Sequence, residues 1–467
     1  MSSRADAIEA IESHFDSNGF RKDLATLVAV PSSSREEEHE PDVKTYLEAH
    51  MVPAFEAMGF TIERHENPML ARAPFLVAKR IEDPSLPTLF CYGHGDTVPG
   101  EEGRWREGRD PWTLDVTTDA GGTERWYGRG TADNKGQHAI NMAALRQVIE
   151  TRGKLGYNVT FLVEMAEEMG SPGLQEFCVA NKELLKADLL IASDGPRLST
   201  EVPDIRLGTR GALNIRMRLE YRDGGHHSGN WGGLLANPAI VLMHAITSLV
   251  TAKGEVTLGS LKPKHLPNSV RAALGPVKVI PGPDDPEIQE WWGEPGLSAA
   301  EKVFGWNTFE VLSFISGDPD KPQNAVPPFA EAICQIRFTV DTDPDTFIPE
   351  IRKHFEAQGL EGILVEPARN SMLRASRLDP DHPAVPWAVA SIAKTLGVEP
   401  VVIPNSGGSL PNDIFLNLVG MPTLWVPHSY PGCSQHAPNE HVLAPLMRDG
   451  LKMMTGLFWD LGEGFPK

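Results

Sequence analysis

His94, Glu167, Glu168, Asp194 and His436 each stand just past a short apolar run of the chain. Imidazoles and carboxylates are ligands for divalent cations, and a carboxylate spared from ligation can take a proton from water. Residues 88–92 break at Gly93 and lead into His94-Gly95-Asp96. Residues 159–163 lead into Glu164 and then Glu167-Glu168, residues 187–192 end at Ser193-Asp194-Gly195, and residues 422–426 open a Gly/Pro loop that holds His436. Short apolar runs bounded by glycine and proline read as buried strands. Ligands of open α/β sheets gather beyond the carboxyl ends of their strands. Distant pieces of sequence are therefore expected to bring these groups to one rim.

Each motif suggests a part. His94 and Asp96 stand two apart on an extended chain and can share a side; a ligating histidine commonly gives its other ring N–H to a carboxylate, which suits Asp96. Asp133 lies in the Gly-rich loop Gly128-Arg129-Gly130-Thr131-Ala132-Asp133-Asn134-Lys135-Gly136, at the start of a helical pattern. That loop lacks the spacing of a phosphate cradle, and Asp133, close to a helix N-terminus, could instead bridge two cations. In an extended segment Glu167 and Glu168 point opposite ways, so one can ligate while the other faces substrate as the base. Asp194, at the edge of a core, needs a partner, and a cation is one. In the last segment either His436 or His441 could ligate; Cys433 is a less favoured candidate, because the carboxylate-rich site already has enough ligands. Two imidazoles and three carboxylates suit a pair of divalent ions sharing one carboxylate. Zinc is the first expectation, with manganese and cobalt also compatible.

The elements that must position these groups follow from periodicity. Up to about residue 200, helical and strand patterns alternate, with helices expected over 136–151 and 173–186 and a helix start at Ser32-Ser33-Ser34 before Glu36-Glu37-Glu38. Near residue 206 the texture changes. Residues 213–219 and 330–340 alternate strictly, as strands with one wet face do. Residues 234–250 and 349–358 read as helices, and the Pro- and Gly-rich stretch 254–305 contains Trp291-Trp292. The expected fold is α/β: a catalytic domain, residues 1–206 and 377–467, with a mixed, mostly parallel sheet flanked by helices. Residues 207–376 form an inserted α+β domain with an antiparallel sheet.

The 467 residues carry a formal net charge of −20, which argues against nucleic acid or an anionic membrane as the main partner. No apolar run approaches the roughly 20 residues of a membrane span, and no signal peptide is read at the N-terminus. Cys91, Cys178, Cys334 and Cys433 are scattered with no CxxC pair, as expected for free thiols in a reducing cytoplasm.

Taken in order, Gly93-His94-Gly95-Asp96-Thr97-Val98-Pro99, the Tyr127–Gly136 loop, Glu167-Glu168-Met169-Gly170-Ser171, Ser193-Asp194-Gly195, His227-Ser228-Gly229-Asn230-Trp231-Gly232-Gly233 and Gly407-Gly408-Ser409 resemble the M20 family of metallopeptidases, and within it the carnosinase-like dipeptidases. The resemblance covers nearly the whole chain. It implies a phosphorylase/hydrolase-like fold and roles for single residues. Asp133 would bridge both metals, His94 and Asp194 would complete one, and Glu168 and His436 the other. Glu167 would be the general base and Asp96 the His94 clamp, with the peptide bond after Asp133 cis. The insert would be a lid and dimerisation domain. From it His227 (or its neighbour His226) would reach the active site of the second subunit of a homodimer. Asn324 and Arg337 would hold substrate, Arg337 as a clamp for a free carboxylate, with Gly407, Gly408 and Ser409 as further substrate contacts. Two departures stand out: Asn134 occupies a position where many members carry Asp, and Asn405-Ser406 one where relatives commonly carry Arg-Glu.

The expected function is hydrolysis of an amide bond in a dipeptide or N-acyl amino acid. An M28-like aminopeptidase is an alternative with similar ligands but usually no inserted lid. A catalytically inactive binding protein on the same fold is another, although it has no need of a second acid beside Glu168.

Overall fold

The computed structural model describes residues 2–281, 286–368, 372–408 and 410–466. They separate into two compact units, one of Met1–Gly208, Leu378–Ile403 and Leu410–Lys467, the other of Thr209–Arg377 and Pro404–Ser409.

An eight-stranded sheet organises the first unit. Its spatial order is Thr61–His65, Phe75–Arg80, Asn158–Glu164, Thr88–His94, Leu189–Ala192, Thr423–Trp425, Asp204–Arg206, Val401–Ile403. The pairings from Asn158–Glu164 through Thr423–Trp425 are parallel, as is the last pair. Antiparallel pairing is confined to the two strands at the Thr61 edge and to a single contact of Trp425 with Arg206. Side chains alternate between two cores. Leu89 and Cys91 enter one while Phe90 and Tyr92 enter the other; Phe161 and Val163 oppose Leu162 in the same way. Burial on both faces is why these strands read as unbroken apolar runs. Helices Arg4–Asp16, Lys135–Arg152 and Ala444–Glu463 supply Ile11, Ile140 and Leu451 to the first core, and Leu174–Ala180 supplies Leu174 and Phe177 to the second.

The second unit carries a four-stranded antiparallel sheet in the order Thr308–Ile315, Phe329–Phe338, Gly211–Glu220, Leu364–Pro367. Ile215, Met217, Cys334 and Ile336 face a core shared with helices Pro238–Thr247 and Phe347–Ala357. The opposite face is wet, with Arg216 Nη2 2.6 Å from Glu331.

Four local expectations change. Ser32, Ser33 and Ser34 do not start a helix: all three are buried, and the first helical turn begins at Glu37. The segment 173–186 is two short helices, Leu174–Ala180 and Lys182–Leu185, broken at Asn181. The helix expected over 234–250 is only Pro238–Thr247, because Asn237 caps it through the Ala239 N–H and Pro238 opens its first turn. Glu167-Glu168 is not extended but forms a tight 3-10 turn, Glu167–Met169, closed by Gly170 at φ 83°.

Candidate metal centre

Parallel register sets His94 opposite Glu164, so two strands leave the sheet at one level, and the Gly95 N–H donates to the Glu164 carbonyl at 2.9 Å. Glycine is needed on both sides of His94. A Cβ at Gly93 would lie 2.4 Å from His138 Cβ, and one at Gly95 2.3 Å from the Tyr46 ring. The helix Lys135–Arg152 begins directly after Asp133-Asn134, whose peptide bond is cis.

These loops bring His94, Asp133 and Asp194 together, and Asp133, Glu168 and His436 together; in each trio the candidate ligand atoms all lie within 4.8 Å of one another. Asp133 belongs to both. Its Oδ1 is 3.0 Å from His94 Nε2, and its Oδ2 is 2.9 Å from His436 Nε2. Asp194 Oδ2 is 3.7 Å from His94 Nε2, and Glu168 Oε2 is 3.1 Å from His436 Nε2. Glu167 Oε2 is 3.9 Å from His94 Nε2. Gln435 Nε2 also donates to Asp133 Oδ2.

The charge balance of this cluster calls for cations. Burial raises Asp194 to about 6 and Glu168 to about 7, with the charge of Asp133 adding to both. Burial also holds Glu167 well above the usual carboxylate range. Burial alone would lower His94, but hydrogen bonds to Asp133 and Asp96 hold it well above an ordinary imidazole. Hydrogen bonds to Asp133 and then Glu168 push His436 up to about 10. The cluster thus recruits protons to do what a divalent ion does better. Glu168 Oε1 is buried without a hydrogen-bond partner, an orphan atom that a metal would satisfy. His94 Nδ1 donates to the Asp96 carbonyl at 3.1 Å, which leaves Nε2 as the ligating nitrogen. The residues fit two divalent cations.

Asp96 does more than orient His94. Its Oδ1, 3.4 Å from His94 Nδ1, accepts the Glu167 N–H at 3.1 Å, and its Oδ2 accepts the Glu168 N–H at 3.2 Å. Glu440 went unassigned in the sequence and serves the Asp133 loop. Fully buried, it accepts the N–H groups of Gly130, Ala132 and Asp133 and the Arg129 guanidinium at 2.8 Å. The one available signal was an acid four residues after His436, flanked by an apolar run. Asn134 Nδ2 donates to the Ser193 carbonyl at 2.8 Å, and its Oδ1 lies 3.0 Å from His138 Nδ1.

The remaining candidates fall elsewhere. His441 is engaged by the Asn439 carbonyl and the Tyr430 hydroxyl, so His436 alone joins the cluster. Cys433 is buried, which pushes its thiol up to about 11, and it is in neither trio. His227, Asn324, Arg337, Gly407 and Gly408 belong to the second unit. There the Ser228 N–H donates to the Asn324 carbonyl at 2.8 Å, which sets Asn324 beside His227. His227 is exposed and its Nδ1 accepts the Gly229 N–H; His226 packs edge-on against Trp231. Arg337 gives Nε to Gln335 at 3.0 Å, while its Nη1 is buried without a partner. Ser409 lies outside the described residues.

A strand-end cluster of this kind on a mixed sheet is the mark of a metal-dependent hydrolase. The family model for peptidase family M20/M25/M40 matches residues 90–460, and the chain belongs to that family. It is a hydrolase acting on C–N bonds, which sets aside the M28-like and inactive readings. It is 27% identical over 374 residues to the cysteinylglycine-S-conjugate dipeptidase of Corynebacterium striatum, covering 77% of each chain. It is 26% identical over 421 residues to the Beta-Ala-His dipeptidase of Mus musculus, covering 84% of this chain and 80% of that one. The M20 family metallo-carboxypeptidase Sso-CP2 from Sulfolobus solfataricus has the same fold, with a TM-score of 0.73 and 24% identity over 94% of this chain and 98% of that one. Among the described residues no helix is long and apolar enough to cross a membrane.

Proposed function

We propose that the protein hydrolyses the amide bond of a dipeptide or N-acyl amino acid, with Glu167 as general base beside two divalent cations. One observation carries this reading: Asp133 is shared by two trios of ligand atoms while Glu167 stands next to them and in neither. Asp133 would be shared by both ions, His94 and Asp194 would hold one, and Glu168 and His436 would hold the other. The mixed imidazole and carboxylate donors favour zinc, with manganese or cobalt as substitutes. When bound, the ions supply Lewis acidity toward the scissile carbonyl and lower the pKa of water. Glu167 takes the proton of the attacking water and delivers it to the leaving amine. Asp96 holds the backbone of Glu167 in place through its N–H.

The second unit serves as an inserted lid and dimerisation domain. Arg337, with no carboxylate paired to it among the described residues, clamps a free substrate carboxylate. Asn324 and the 407–409 loop add substrate contacts, and the exposed His227 polarises the carbonyl in the second subunit of a homodimer. The dimer reading is supported by the edge strand Thr308–Ile315, where Val311, Leu312, Phe314 and Ile315 are all exposed. An apolar open edge favours pairing with another chain. Phe314→Lys is expected to shift the protein toward monomer in analytical ultracentrifugation; an unchanged dimer would remove this interface from the reading. Four buried, unpaired thiols are in keeping with a cytoplasmic setting.

The test is a panel of dipeptides, acylated amino acids and their C-terminal amides. Hydrolysis is expected to stop on chelation and return with zinc or manganese, and amides are expected to show a raised KM. Turnover that survives full metal removal would overturn the proposal.

A further inference from the structure

The triple serine Ser32-Ser33-Ser34 starts no helix, yet it is fully buried beside the metal centre. Its contacts show what it holds. The Ser32 hydroxyl donates to the Gly95 carbonyl at 2.6 Å, and the Thr97 N–H donates to the Ser32 carbonyl at 3.1 Å. Ser33 bridges Thr97 in parallel fashion. The Ser34 hydroxyl donates to Asp96 Oδ2 at 2.6 Å. Arg35 donates through Nε and Nη2 to the Glu168 carbonyl, at 3.0 and 2.6 Å. Just upstream, buried Lys135 donates to the Leu27 and Val30 carbonyls, at 3.1 and 2.6 Å. One short stretch of chain is thus tied to the His94–Asp96 loop, to the Glu167-Glu168 turn and to the helix that follows Asp133.

We propose that residues 32–35 are a brace for the reaction, with Ser34 and Arg35 as positioning residues that set Glu167 against the metal ligands. The inference rests on the reading of Glu167 as general base. Asp96 Oδ2 is shared by the Ser34 hydroxyl and the Glu168 N–H, and Asp96 Oδ1 takes the Glu167 N–H. With Ser34 donating, the carboxylate cannot swing about its Cβ–Cγ bond, and both N–H bonds of the turn keep their direction. Arg35 fixes the same turn from its other end, because a two-point grip on the Glu168 carbonyl sets the plane of the next peptide. Neither side chain touches Glu167 itself, although Arg35 Nη2 also lies 3.9 Å from Glu168 Oε2. Their loss acts through the placement of Glu167, and a displacement near 1 Å can cost on the order of 100-fold in rate.

The experiment compares Ser34→Ala, Arg35→Met and Arg35→Lys with the parent enzyme. Hydrolysis is measured with metal bound, and amide hydrogen exchange of the peptide spanning Met165–Gly170 with and without metal. The expected result for Ser34→Ala and Arg35→Met is a kcat loss of roughly 10- to 100-fold with KM, metal stoichiometry and melting temperature held, and faster exchange of the Glu167 and Glu168 amides. Arg35→Lys, which keeps one donor, falls between. Parent-like kcat and exchange in both variants would overturn the brace. So would a loss confined to KM, which would make Arg35 a substrate contact, or a loss confined to melting temperature, which would make the segment merely structural. A Glu167→Gln control separates the two claims. If that variant stays fully active the base reading fails, and the exchange data still judge whether the segment holds the turn.

Discussion

Glu167→Gln is expected to fold, bind two metal ions and lose roughly 10²- to 10⁴-fold in kcat, the usual contribution of a positioned acid–base group. At about 1.4 kcal/mol per tenfold change, that is about 3–5 kcal/mol of transition-state stabilisation. The amide keeps the size of the side chain and leaves the Glu167 N–H bond to Asp96 in place, so the turn is undisturbed. KM is expected to move little, because the group is invoked only while the water loses its proton and the amine gains it. Steady-state kinetics with metal analysis of the same sample decide the matter. A variant with full metal content and full kcat would remove Glu167 from the chemistry.

Asp133→Asn acts earlier. Its two oxygens face two different imidazoles, so one substitution weakens both halves of the site. Changing a partner outside the ligand shell typically costs 10- to 100-fold in metal affinity, and a carboxylate shared by two ions is expected to cost more for each. Activity should fall with occupancy and recover partly at high metal concentration. The parent site also fixes the sign of the pH effect. Without metal, His436 holds a proton up to about 10, Glu168 up to about 7 and Asp194 up to about 6. Ligation needs all three deprotonated, so metal uptake releases protons and affinity rises with pH across the neutral range. Competition with a chromophoric chelator between pH 6 and 8 measures this. Affinity independent of pH would contradict the ligand assignment.

The sheet was legible in the sequence because strands buried on both faces leave continuous apolar runs, and each run ended in a break that marked where the chain leaves the core. That is why His94, Glu167, Glu168, Asp194 and His436 could be placed on one rim. Asp133 and His436 lie in irregular loops, and composition alone left His436 and His441 as equals. The Tyr430, Asn439 and Arg125 contacts of His441 separate them. Ser34, Arg35 and Glu440 were not legible as parts of the site. Their partners lie 62, 133 and about 310 residues away, and nothing in local spacing encodes a contact of that range. The Ser32–Ser34 run misled for a definite reason: serine before acids is a helix-start signal, yet here the Ser32 and Ser34 hydroxyls are spent on the His94–Asp96 loop and the acids begin the turn alone. The Glu167-Glu168 turn was misread as extended because the strand was carried past Glu164, although Gly170 signals a reversal.

The strand Thr423–Trp425 sits between Leu189–Ala192 and Asp204–Arg206, and His436 and Glu440 follow it. A nascent chain that has left the ribosome only as far as residue 400 therefore owns four of the five proposed ligands but neither His436, the dividing strand nor the clamp on the Asp133 loop. The last proposed ligand and the clamp on the Asp133 loop are thus completed only late in translation.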